Sequence, residues 1–170
     1  MKENPMRQIG IEKITLNVGC GSSSEKLEKA TKLLSTISSE KAVSTKTKKR
    51  IPTWGVRPGL EIGTKVTLRG KKAEATLKRL LHAVKYLLEF NNFDQYGNFS
   101  FGISEYLNIP DLPYDQSIGI MGLEVAVTLK RPGFGIKNRS IKRRKIPNKH
   151  RITKEEAINF VKEKFNVTVS

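Results

Sequence analysis

The sequence is poor in the residues that most enzymatic and metal chemistry needs. It holds one cysteine, Cys20, so no internal disulfide can form, which fits a reducing compartment. Together with its two histidines, His82 and His150, that cysteine falls short of the four ligands of an ordinary zinc site. No run approaches the roughly 20 apolar residues that span a bilayer. No apolar segment of a secretory signal follows the first methionine. Acids are scarce too: 16 of them face 32 lysines and arginines, a formal net charge of +16 in 170 residues. That length suits a single domain over 1–170, and 37% apolar residues suffice for a core. A charge so far from zero opposes compaction unless an anion relieves it. The expected location is the cytoplasm, away from membranes.

The charge that is present is unevenly placed. Eleven basic residues and no acid lie between Val125 and Lys154, among them Lys137, Arg139, Lys142, Arg143, Arg144 and Lys145. Six more lie between Lys41 and Leu60, again without an acid: Lys41, Lys46, Lys48, Lys49, Arg50 and Arg57. From Ala83 to Glu124 the balance reverses, with Glu89, Asp94, Glu105, Asp111, Asp115 and Glu124 against Lys85 alone. A surface built only for solubility intersperses its charges. The segregation points to a polyanion as partner of the basic segments and to a basic protein for the acidic one. A plain solvated face is the competing reading, strongest for the acidic stretch.

Apolar periodicity predicts the elements. Residues 9–18 read as a strand, with Ile9 and Ile11 on one parity and Ile14, Leu16 and Val18 on the other, so a bulge is expected near Glu12 and Lys13. Ser22, three before Glu25, has capping-box spacing for a helix striped by Leu27, Ala30, Leu33, Leu34 and Ile37. Residues 42–47 suit a short strand. An irregular basic loop at 48–59 is broken by Pro52, Gly55, Pro58 and Gly59. Residues 60–69 alternate: Leu60, Ile62, Thr64, Val66 and Leu68 inward, and Glu61, Gly63, Lys65, Thr67 and Arg69 outward. A second helix is predicted from about Lys71 to Phe90. Strands follow at Phe99–Ile103 and 123–130, separated by a loop punctuated by Pro110 and Pro113. The 131–151 stretch has little apolar periodicity and reads as a basic extended arm or long loop. A last helix over 153–165 starts at the Thr153/Glu156 capping box. The sum is an α+β fold, a mainly antiparallel sheet with helices on one face and the other face open.

That open face offers Lys65, Thr67 and Arg69 from one strand, and from its neighbour Thr45 and Thr47, or Lys46, depending on register. Cations grip phosphate without reading sequence, and hydroxyls bond phosphate, ribose or base edges, a mixture suited to structured RNA. Solvated threonines chosen for strand propensity are the plainer alternative. Trp54, the only tryptophan, sits among cations, where it can stack on a nucleotide or plug the edge of the core. Gly19-Cys20-Gly21 has the outline of a dinucleotide-binding turn but lacks its third glycine, Ser24 standing there, so no nucleotide cofactor is expected. His82 lies in a helix, His150 among cations, and Asp111 and Asp115 have no metal-loop signature. No catalytic residue, metal or cofactor is expected from these residues.

Six segments, in order, carry a family resemblance: Ile11-Glu-Lys-Ile-Thr-Leu-Asn-Val-Gly-Cys-Gly21, Thr45-Lys-Thr-Lys48, Arg57-Pro-Gly59, Ile62-Gly-Thr-Lys-Val-Thr-Leu-Arg-Gly70, Phe93-Asp-Gln-Tyr-Gly-Asn-Phe-Ser-Phe-Gly-Ile103 and Gly122-Leu-Glu-Val-Ala-Val-Thr128. Together they resemble the large-subunit ribosomal protein five family over nearly the whole chain. The resemblance implies a structural protein of the central protuberance that binds 5S rRNA. It also implies contacts with large-subunit rRNA, with P-site tRNA through a loop, with neighbouring large-subunit proteins, and with a small-subunit head protein at an intersubunit bridge. The implied 5S rRNA surface is Asn17, Gly19, Gly21, Thr45, Lys46, Lys48, Lys65, Thr67 and Arg69. The implied tRNA-contacting residues are Lys49, Arg50, Trp54 and Arg57. Glu105, Asp111 and Asp115 fall in the implied bridge region. Against the bacterial form of the family, the chain lacks a longer N-terminal helical extension and adds the basic 131–151 segment, a pattern that resembles the archaeal form. That segment, with Lys137, Arg139, Lys142, Arg143, Arg144 and Lys145, is expected to lie along rRNA and to be mobile when free. A free-standing RNA- or DNA-binding regulator using the same patch is the alternative function.

Overall fold

A computed structural model describes residues 4–170. Strand β1 (Gly10–Gly19) lies between β3 (Glu61–Leu68) and β6 (Leu123–Lys130), while β2 (Val43–Lys46) and β5 (Phe99–Ile103) form the edges. Every neighbour in this five-stranded sheet, ordered β2-β3-β1-β6-β5, runs antiparallel. Alternation decides the faces. Ile14, Leu16 and Val18 of β1, Val66 and Leu68 of β3, Val125, Val127 and Leu129 of β6, and Phe99 and Phe101 of β5 are all buried. Helix α1 (Ser24–Ser38) packs against β3, and α2 (Gly70–Ala83) against β1. Each buries a 3.6-period stripe: Ala30, Leu33, Leu34 and Ile37 in α1, and Ala73, Leu77, Leu80 and Leu81 in α2. Helix α3 (Lys154–Phe165) adds Ala157, Ile158, Val161 and Phe165 to the same core and joins α2 through Lys164 and Glu74, 2.7 Å apart. This is the α+β arrangement that the alternating and helical segments predict.

Several local expectations hold and several change. The β1–β6 register shifts between Ile11 and Lys13, so the bulge sits where the parity of the isoleucines breaks. The Thr153/Glu156 capping box is complete. Helix α1, in contrast, is capped by Ser23 instead of Ser22: its hydroxyl accepts from the Lys26 amide at 3.5 Å. Three adjacent serines can each cap; with Ser23 at the N-cap, Glu25 stays in the first turn, beside the positive end of the helix.

Helix α2 ends at Ala83, not at Phe90. Lys85 and Tyr86 adopt left-handed φ of 55° and 56°, and Leu87–Leu88 becomes a short strand, β4, paired in parallel with β7 (Thr168–Val169). Val84, Leu87 and Leu88 sit at helical spacing, but Leu88 is buried by a partner at the far end of the chain while Leu87 stays exposed.

The 131–151 stretch is an arm only in its middle. Residues 139–145 are exposed, but both ends are anchored. Arg131 is 5% exposed and donates to Arg7 O at 3.1 Å, Arg151 O at 3.0 Å and Glu156 Oε1 at 2.7 Å. Phe134 is buried, and Lys137 reaches Glu12 at 3.0 Å. The stretch is largely loop, as one of the two readings of it had it, and what neither reading showed is this set of non-local anchors.

Candidate nucleic-acid interface

On the sheet face away from α1 and α2, register sets which side chains stand together, because directly opposed residues share a face. Asn17 is opposite Lys65 on one side and Glu124 on the other. Glu124 in turn faces Gly102, and Lys65 faces Val43. The next row carries Thr67, Thr15, Ala126 and Ser100. Lys65, Thr67, Glu124, Ala126, Ser100 and Gly102 are exposed, and Thr15 and Asn17 are half-buried, so nothing in the described chain covers this surface. The result is a low floor of small and hydroxyl side chains edged by the cations of β3. Such a floor lets a backbone of ribose and phosphate approach closely, while Lys65 supplies charge and the threonines supply hydrogen bonds.

The register resolves the choice left open by the sequence. A shift between Thr45 and Lys46 places Thr45 opposite Gly63 and Lys46 opposite Glu61. Lys46 and Glu61 form an exposed ion pair at 3.6 Å. Thr47 instead closes the following turn, donating to Lys49 O at 2.8 Å and accepting from the Lys49 amide at 3.2 Å. Gly63 has a reason to be glycine: a Cβ there would lie 2.7 Å from Val18 O. Gly19 ends β1 opposite Gly63, and Gly21 takes φ 63° in the turn to α1. Arg69 occupies the N-cap position of α2 without capping it through its side chain, and it is exposed, as is Lys48 in the turn after β2. The nine residues therefore gather on one face and its adjoining turns, at the β2-β3-β1 side of the sheet.

The basic loop between β2 and β3 is a small hairpin closed by the Ile51–Val56 bridge, with a short helix at Pro52–Trp54 and Gly55 at φ 65°. Val56 is buried, whereas Trp54 is 72% exposed, and Lys49, Arg50 and Arg57 around it are exposed too. The core-plug alternative for Trp54 is thereby excluded. In the 131–151 segment Arg139, Lys142, Arg143, Arg144 and Lys145 face solvent, whereas Lys137 is tied to Glu12.

The acidic stretch is less of an acidic surface than its composition suggests. Glu105 and Asp111 are exposed. Asp115 is not free: its carboxylate accepts from Lys32 Nζ and Ser117 Oγ, at 2.7 and 2.6 Å. Hydrogen bonding to Lys32, then to Ser117, holds it down to about 2. Tyr106, buried beneath, accepts the Asp115 amide through its hydroxyl at 3.1 Å, so the residue shapes its loop. Asp94 accepts the Tyr96 and Asn98 amides, and Glu124 accepts from Asn17 Nδ2 at 3.1 Å.

Sequence reasoning missed Thr15, Ser100, Ala126 and Glu124 as parts of the open face. The outward parity of residues 99–103 and 123–130 carries that signal, but strand order is needed to use it. Burial raises the Cys20 thiol above its ordinary value despite the nearby Lys26, so it is not an activated nucleophile. Among the described residues no group of three or more His, Cys, Asp or Glu side chains could hold a metal. None of their helices is long and apolar enough to cross a membrane.

Two family models match. The model described as "Ribosomal protein L5" covers residues 4–57, and that of the "ribosomal L5P family C-terminus" covers residues 61–160. The large ribosomal subunit protein uL5 of Sulfolobus acidocaldarius is 50% identical over 168 residues, covering 99% of this chain and 94% of that protein. The uL5 protein of Nanoarchaeum equitans is 49% identical over 168 residues, covering 98% and 99% respectively. That of Nitrosopumilus maritimus is 44% identical over 168 residues, covering 99% and 97%.

Proposed function

The chain belongs to the ribosomal protein L5 family, in its archaeal form, and from that premise we propose that its open sheet face binds 5S rRNA and helps hold it in the central protuberance. It is a structural, non-enzymatic component of the large ribosomal subunit in the cytoplasm, associated with that subunit's rRNA and proteins. The finer reading is carried by one observation: the five-stranded sheet leaves uncovered a face that brings Lys65, Thr67, Thr15, Asn17 and Thr45 together.

The mechanism is neutralisation and fit. Lys65, Arg69 and Lys48 displace counterions from phosphates, and that release supplies affinity. Thr15, Thr45, Thr67 and Asn17 fix register through hydrogen bonds to ribose and phosphate. Gly19, Gly21 and Gly63 keep the floor low enough for close approach. Glu124 on the same face repels phosphate, so the RNA backbone tracks the β3 side, and the Asn17 amide stands between the carboxylate and Lys65. The hairpin tip, with Trp54 between Arg50 and Arg57, reaches to P-site tRNA. Arg139 and Lys142–Lys145 run along large-subunit rRNA. Glu105 and Asp111 face a basic small-subunit head protein at the intersubunit bridge, while Asp115 shapes that loop from within. The whole chain acts as one rRNA-binding unit.

Hydroxyl-radical footprinting of the full chain on a 5S rRNA transcript, compared with intact large subunits, tests this. The same 5S nucleotides should be protected in both. Protection absent from the transcript and from the subunits would refute the reading.

A further inference from the structure

Where the 131–151 segment returns to the core, it meets the turn before β5 and leaves a cleft of about 330 Å³, near the lower end of ordinary ligand sites. Leu129, Ile146 and Ile152 form its apolar floor, and Tyr96, Lys145 and Arg151 its rim; none of the described residues that line it is acidic. Leu129 belongs to the buried row of β6, so this cleft opens on the side of the sheet opposite Thr15 and Thr67.

Tyr96 is the unusual member. The residue is 60% exposed, yet its backbone is fixed. The Asp94 carboxylate accepts the Tyr96 amide at 2.8 Å and the Asn98 amide at 2.7 Å. The neighbouring Gly97, at φ 76°, sits so tightly on Ile152 that a Cβ would fall 2.5 Å from its Cγ2. The Arg151 guanidinium backs the Tyr96 ring, 5.6 Å from its centroid, and Arg151 is itself held by donating to Ile146 O at 3.3 Å. An aromatic ring on a fixed backbone, backed by a cation and set beside an apolar floor with a second cation, is the arrangement that stacks an unpaired base and steadies its phosphate.

We propose that this cleft binds one unpaired nucleotide of large-subunit rRNA, its base on Tyr96 and its phosphates against Lys145 and Arg151. The inference rests on the reading of the chain as an rRNA-binding protein and adds a contact separate from the sheet face. A cationic rim on a chain of net charge +16 favours RNA over a basic protein as the occupant.

The test is ultraviolet crosslinking in isolated large subunits, joined to rebinding of purified full-length variants to salt-stripped large-subunit particles. Tyr96 should crosslink to a nucleotide. Tyr96→Ala should rebind about 5- to 150-fold more weakly, the range for losing one base–aromatic stack, and Tyr96→Phe should rebind nearly as wild type. Since Tyr96 is exposed, its thermal unfolding serves as the folding control. A crosslink from Tyr96 to a protein, no crosslink at all, or wild-type rebinding by Tyr96→Ala would overturn the proposal. A Lys65→Ala, Arg69→Ala double variant separates the two readings. If it is weakened while Tyr96→Ala is not, only the cleft is wrong; if the double variant rebinds as wild type, the sheet-face reading fails.

Discussion

Replacing Arg131 with methionine should destabilise the fold by about 3 kcal/mol without touching the open sheet face. Methionine keeps much of the aliphatic stem and removes the guanidinium. Three charge-assisted hydrogen bonds disappear with it, to Arg7 O, Arg151 O and the Glu156 carboxylate. Bonds from a charged donor to a carbonyl contribute roughly 1.5 kcal/mol or more each, so the two carbonyls account for about 3 kcal/mol. The pair with Glu156, whose side chain is 41% exposed, adds little because solvent screens it. In a chain of this size each 1 kcal/mol shifts Tm by about 2–4 °C, so calorimetry should show a fall of about 6–12 °C. Limited proteolysis should also cut earlier within 132–151, because Arg131 ties that segment to Arg7 and to α3. Arg131→Lys, charged but unable to fork, should fall between the two. A Tm loss below about 3 °C for the methionine variant would mean that the guanidinium does not hold these three segments together, and the anchored-arm description would be wrong.

Other consequences follow from individual residues. Trp54→Ala should leave Tm within a degree or two, because the ring is exposed. It should spare 5S rRNA affinity and alter P-site tRNA protection in the assembled subunit; a large loss of 5S affinity would contradict the division of surfaces. Gly63→Ala should destabilise by about 2 kcal/mol or more, since the added methyl meets the Val18 carbonyl, a backbone atom that cannot swing aside; unchanged denaturant unfolding would refute the close approach of β1 and β3. Asp115 lies lower in the folded chain than its ordinary 3.8, at about 2, chiefly through its bond with Lys32. Its stabilisation is therefore present at neutral pH and disappears as pH falls from about 4 towards 2. Asp115→Asn should flatten that part of the acid-unfolding curve, and an unchanged curve would sever the Lys32 link. Glu156 behaves alike in sign: burial pushes its carboxyl up, but the Thr153 amide and Arg131 outweigh burial and leave it below its ordinary value.

Local patterns carried much of the fold. The outward run Gly63, Lys65, Thr67 was readable from strict alternation, and the bulge at Glu12 from a parity break. The Thr153 cap was readable from a spacing of three. What escaped was set by distant partners. Leu87 and Leu88 match a helical stripe, and only pairing with Thr168 and Val169 makes them a strand. The turn that ends α2 uses Lys85 and Tyr86 in left-handed geometry, with no glycine to announce it. Arg131 counted as one cation of a run facing a polyanion, because its acceptors are mostly backbone carbonyls, which a sequence does not display. Asp115 and Glu124 counted as free acids until the fold brought Lys32 and Asn17 to them. The candidate face itself was legible one strand at a time; its extent across β1, β6 and β5 needed the strand order.

The most direct test of the central claim is the salt dependence of 5S rRNA binding, measured by filter retention for the wild-type chain and for the Lys65→Ala, Arg69→Ala double variant. Wild type should lose about 10³- to 10⁵-fold in affinity between roughly 50 and 200 mM salt if some 6–10 phosphates are contacted. The double variant should bind more weakly at every salt concentration, with a log–log slope shallower by about two, one for each phosphate contact removed. Equal affinity and equal slope for the two proteins would place the RNA somewhere other than the open sheet face.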